Sequence, residues 1–188
     1  MVSITALWLP ILLSAVIVFV ASSILHMVIP LHKSDYRKLP DEDKVLDALR
    51  AAGVTAGRTY HFPHTTHQDM KSPETAEKFK RGPVGLMNVI PSGAPAMGKY
   101  LVLWFVYCVV VSCFVACVVG STLGRGTRYL EVFHLAGIAA FLAYGIGQIQ
   151  DSIWKGQTRG VTFKHVVDGL IYALLTAGTF GWLWPRQG

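Results

Sequence analysis

Four long stretches of this 188-residue chain contain no Asp, Glu, Lys or Arg: Met1 through His32, Tyr100 through Gly124, Val132 through Gln150 and Gly169 through Pro185. A helix needs about 20 largely apolar residues to cross a hydrocarbon core about 30 Å thick. Each stretch is long enough or nearly so, and the pattern predicts spans over Ile4 to Ile29, Tyr100 to Val119, Tyr129 to Gln150 and Phe163 to Trp184. Composition agrees: 52% of the residues are hydrophobic, 15% are charged and the mean hydropathy is +0.44, outside the range of ordinary soluble domains. The expected fold is therefore an all-α membrane protein, four helices in a bundle. Its parts are a first span within residues 1–30, an insert over 31–99 and three spans within 100–188.

The small residues of "VASS" at Val20 to Ser23 offer a signal-peptide reading of the first stretch. A signal core runs over 7–15 apolar residues behind a basic start. Here no Lys or Arg precedes the longer apolar run, so an uncleaved span is expected.

Basic residues near the span ends set the orientation. Lys33, Arg37, Lys38, Lys44, Lys80, Arg81, Lys99, Lys155 and Arg159 fall on one side, and Arg125, Arg128 and Arg186 on the other. The richer side, holding residues 31–99, is expected to be cytoplasmic, with both termini outside, in a bacterial inner membrane. Trp8, Trp104, Trp154, Trp182 and Trp184 all fall near proposed span ends, where indole rings prefer the interface.

The insert reads as a small cytoplasmic α/β unit. "LPDEDKVLDALRAAG" begins with Pro40 and three early acids and stops at Gly53, the pattern of a short amphipathic helix. "GRTYHF" is a strand ended by Pro63. Ser72 and Pro73 open a second helix that Gly82-Pro83 closes, and "VGLMNVI" is a second strand. At under seventy residues this unit has a thin core and needs support from the bilayer or a partner.

Within the insert, His61, His64 and His67 recur every third residue, with Asp69 behind them. Imidazole and carboxylate are ligands for a divalent metal. Pro63 prevents the three rings from sharing a helix face, and the spacing matches no established zinc motif, so an ordinary polar loop is the favoured reading. Cys108, Cys113 and Cys117 all lie in the second span, where they read as packing residues. No nucleophile elbow, His-Glu-x-x-His, Cys-x-x-Cys or phosphate-binding loop occurs, and nothing points to nucleic acid.

Small residues at every fourth position form smooth stripes: Ser112, Ala116 and Gly120; Ala139, Ala143 and Gly147; Gly169, Ala173, Ala177 and Gly181. Membrane helices associate through such faces. The stripes lead to the first functional expectation, a non-catalytic accessory subunit or self-associating scaffold, partnered by the bilayer and by a homo-oligomer or larger membrane complex.

Ionisable groups within spans are the other pointer. His26, Gln148, Asp151, His165 and Asp168 all fall toward the cytoplasmic ends of their spans. This cluster supports the rival expectation of a transporter or a proton or cation pathway. A metal-dependent enzyme or sensor built on the His61, His64 and His67 loop is the third reading, with a divalent metal as its cofactor.

Overall fold

A computed structural model describes residues 1–186. In chain order the elements are α1 (Trp8–Ser23), α2 (Glu42–Ala51), β1 (Arg58–Phe62), α3 (Pro73–Arg81), β2 (Gly85–Val89), α4 (Met97–Thr122), α5 (Tyr129–Tyr144), α6 (Ile149–Trp154) and α7 (Arg159–Trp182). They divide into two compact units. One comprises residues 1–35, 96–152 and 157–186, and the other residues 36–95 with 153–156.

The first unit holds the apolar helices. Three helical stretches, Ile4–Val28, Met97–Thr122 and Tyr129–Trp154, are long and apolar enough to cross a membrane. α7 has the length, 24 residues, but its first half carries Arg159, Lys164, His165 and Asp168, which dilute its apolar character. α1 packs against α4 and α7, and α5 packs against the same two helices, around a shared apolar core. Leu7, Val18, Val115, Val119, Val132 and Phe180 fill that core with almost no exposure.

Close backbone approach explains the small residues. At Gly169 a Cβ would lie 2.6 Å from the Gly145 nitrogen and 2.6 Å from the Tyr144 carbonyl carbon, so only glycine lets α7 meet the end of α5. Ser112, Ala116, Gly120, Ala173, Ala177 and Gly181 are buried with it. The α5 stripe is displaced from its expected register. Ala136 and Ala140 are buried, whereas Ala139 is half-buried and Ala143 and Gly147 are exposed. Along the whole of α5 the inward stripe is Val132, Ala136, Ala140 and Tyr144, so Ala139 and Ala143 fall beside it, and the 3-10 turn at Ile146–Gln148 takes Gly147 off the helix altogether.

The inner polar groups are mostly paired. The Ser14 hydroxyl donates to Ser112 Oγ at 3.0 Å, joining α1 to α4, and Trp104 Nε1 donates to Ser22 Oγ at 2.7 Å. Thr176 and Thr179 donate back to carbonyls of their own helix.

The second unit has the order helix, strand, helix, strand. β1 and β2 pair antiparallel, from Arg58 opposite Val89 to Phe62 opposite Gly85. Ser72 caps α3 by accepting from the Thr75 N–H at 3.1 Å, with Pro73 at the first helical position. No residue from 36 to 95 is fully buried, so this unit has no dry core of its own.

Candidate metal centre

The end of α1 is built to bend the chain inward. After Ser23 the regular helix widens into a π turn over Ile24–Val28, a distortion frequent at functional sites. Pro30 then lacks an N–H to continue the ladder and holds Ile29 extended, at φ −82° and ψ 128°. A 3-10 turn, Pro30–Ser34, follows at once, so His26 and His32 stack ring on ring with centroids 4.2 Å apart.

α7 supplies the opposite wall. Asp168 is 3% exposed, and both its carboxylate oxygens are buried without a hydrogen-bond partner. Its Oδ2 lies 3.0 Å from His32 Nε2 and 3.9 Å from His26 Nε2. The shorter contact lies off the line of a hydrogen bond, and His32 Nε2 is itself buried and unpartnered. An uncompensated buried carboxylate costs several kcal/mol, in round terms.

The far nitrogens fix both imidazoles. His26 Nδ1 lies 3.1 Å from the Ser22 carbonyl oxygen, which can only accept, so Nδ1 carries the proton. His32 Nδ1 lies 2.6 Å from Asp35 Oδ2 and donates to that carboxylate. In each ring Nε2 is then the nitrogen that faces Asp168. Two imidazole nitrogens thus converge on one buried carboxylate. Such a histidine, oriented by a carboxylate or carbonyl behind it, is the usual form of a metal ligand.

Lys164 holds the support in place. Its ammonium donates to the Leu31 carbonyl at 2.7 Å, to Ser34 Oγ at 2.8 Å and to Asp35 Oδ1 at 2.7 Å. Burial would raise the Asp35 carboxyl, but the hydrogen bonds from Lys164 and His32 outweigh it and hold that carboxyl below its ordinary value. Lys164 therefore matches the charge of Asp35, while among the described residues no Lys or Arg pairs with Asp168.

Among the described residues, one ligand atom from each of His26, His32 and Asp168 lies within 4.8 Å of the others, and the same holds for His32, Asp35 and His165. The first set has the better chemistry, because Asp35 is already engaged by Lys164 and His32. Ligand atoms about 2.0–2.1 Å from a tetrahedral ion sit roughly 3.3 Å apart, and the 3.0 and 3.9 Å separations bracket that value. Two imidazoles and one carboxylate, without thiolate, suit Zn²⁺, Fe²⁺, Mn²⁺ or Co²⁺.

A cavity of about 500 Å³ adjoins the set, lined by His26 and Asp168 together with His165, Gln148, Tyr144 and Tyr172. Of the polar residues expected from the sequence, His26, Gln148, His165 and Asp168 meet here. Asp151, half-buried at the start of α6, lies outside this lining and outside both ligand sets. The insert histidines belong to neither set. His61, His64, His67 and Asp69 are exposed, His61 Nδ1 contacts the Pro63 carbonyl at 3.1 Å, and Asp69 accepts from Thr66 at 2.6 Å. His32, Asp35 and Lys164 were not expected. They sit in or beside segments whose charges read as topology signals, and the His32-x-x-Asp35 spacing behind Pro30 was the available clue.

No protein-family model, curated protein or solved structure matches this chain.

Proposed function

We propose that this is a four-span membrane metalloprotein, which binds one divalent transition-metal ion through His26 Nε2, His32 Nε2 and Asp168 and works on a molecule held in the adjoining cavity. The observation behind it is the convergence of His26 Nε2 and His32 Nε2 on the buried, unpartnered Asp168 carboxylate, with the two rings oriented from behind by the Ser22 carbonyl and Asp35. Three protein ligands would leave a fourth coordination position, and the adjoining cavity, lined by His26 and Asp168, supports an exchangeable ligand there, as in working rather than purely structural metal sites.

In this reading α7 is the fourth span, sheltered by α1 and α5 on its polar half. The cluster lies at the cytoplasmic end of the spans, and both termini lie outside. The small-residue faces of α4 and α7 are occupied by the chain's own packing, which leaves the scaffold reading with less support than the metal centre.

Equilibrium dialysis of the detergent-purified chain against Zn²⁺ tests the proposal. One ion per chain is expected, lost in Asp168→Asn and His32→Ala. A wild-type chain that binds none would instead leave His32 as an imidazolium between two carboxylates, and the proton-pathway reading would replace this one.

A further inference from the structure

We infer that the cavity beside the cluster takes a lipid-soluble carboxylate, a fatty-acid-type monoanion whose head meets the metal and whose chain lies along Leu101, Trp104, Met27 and Met97. This rests on the metal site proposed above and names what occupies its fourth position.

Charge selects an anion. A divalent ion with two neutral imidazoles and the Asp168 carboxylate carries a net charge of about +1 in this ligand set. Asp35 does not cancel it, being matched by Lys164 at 2.7 Å. A monoanion neutralises the set, and a cationic head is repelled.

Hydrogen bonding selects an acceptor. The Tyr144 and Tyr172 side chains line the cavity, and their buried hydroxyls have no oxygen or nitrogen partner among the described residues. The Cys108 thiol beside Tyr144 is only a weak one. The Gln157 side-chain amide lies 3.2 Å from His165 Nδ1 and donates to it, which places the His165 proton on Nε2. Two tyrosine hydroxyls on the cavity's walls are therefore left without a strong acceptor, and a carboxylate offers one oxygen to the ion and a second to a tyrosine.

The rest of the lining selects an apolar body. Trp104 stands against Tyr144 and Tyr172, with ring centroids 6.5 and 6.1 Å away. Leu101, Met27 and Met97 continue the apolar wall, the two methionines strongly exposed at 74% and 58%. A volume of about 500 Å³ lies within the usual range for small-molecule sites.

The test uses the full chain loaded with Co²⁺ in phosphatidylcholine nanodiscs, titrated with decanoate, decylamine and decylubiquinone while the visible bands of the bound ion are followed. Decanoate is expected to shift the bands saturably, and the other two are not. Tyr172→Phe and Tyr144→Phe are expected to weaken decanoate binding about tenfold each, with Co²⁺ content unchanged as the control for folding. Binding of decylubiquinone or decylamine in preference to decanoate overturns the inference. So do unchanged affinity in both Phe variants and bands that respond to none of the three, and in those cases the metal site stands. A chain that binds no Co²⁺ removes the metal site and this inference together.

Discussion

His32 Nδ1 lies 2.6 Å from Asp35 Oδ2, a contact that leaves the opposite ring nitrogen facing Asp168. Three residues apart in one short turn, the two side chains divide the work: one turns a ring nitrogen to Asp168 and the other fixes its direction. Lys164, reaching over from α7, fastens the pair from behind.

Removing that support without touching a ligand is the first test. Asp35→Asn keeps the shape but loses the charge that holds His32 and pairs with Lys164. Metal affinity, measured by competition against a chromophoric chelator, is expected to fall about 10–100-fold. Lys164→Met is expected to act in the same direction, because it frees the turn that carries both residues.

The insert histidines give the complementary result. The triple variant His61→Ala, His64→Ala, His67→Ala is expected to retain the wild-type metal content per chain in elemental analysis. Loss of the ion in this variant would move the site to the loop.

How much of this was legible beforehand depends on periodicity. Charge-free runs and small-residue spacing revealed the apolar helices, because both follow from the solvent and from backbone approach. Caps and prolines gave the order of the insert, down to Ser72 and Pro73. The sequence did not reveal the turn after α1. His26 and Asp168 were visible as polar groups at span ends, but their meeting with His32 depends on the π turn at Ile24–Val28 and the sharp stop at Pro30, and neither has a reliable pattern in residue type. The α5 register was missed because small or apolar residues sit every fourth position on two adjacent faces, Val132, Ala136, Ala140 and Tyr144 beside Ala139 and Ala143, and residue type does not say which one faces the core.

Packing between α5 and α7 is testable by a single methyl group. In Gly169→Ala the new Cβ meets Gly145 and Tyr144 backbone, which cannot rotate away, and overpacking of this kind costs typically 1–3 kcal/mol. A lowered thermal midpoint in detergent is expected. Gly147→Ala is the control, because its Cβ would come no closer than 4.0 Å to the Leu142 carbonyl oxygen.

The Ser14 to Ser112 hydrogen bond between α1 and α4 should be modest despite its burial. Interhelical polar pairs in membranes average about 0.6 kcal/mol in double-mutant cycles. The cycle Ser14→Ala, Ser112→Ala, read by unfolding in mixed micelles, is expected to give a coupling of that size.

Orientation can be read by thiol labelling of intact cells, after Cys108, Cys113 and Cys117 are replaced by Ala. A single cysteine at Thr66, in the insert, is expected to react with a membrane-impermeant maleimide only after permeabilisation. One at Thr127, between α4 and α5, is expected to react without it. The reverse pattern would invert the assigned topology.

The most direct measurement is X-ray absorption at the metal edge of the loaded, membrane-reconstituted chain. Two imidazoles and oxygen donors at about 2.0–2.2 Å are expected, with imidazole scattering reduced by half in His26→Ala. A spectrum lacking imidazole scattering, or one unchanged by His26→Ala and by His32→Ala, would contradict a centre built from His26, His32 and Asp168.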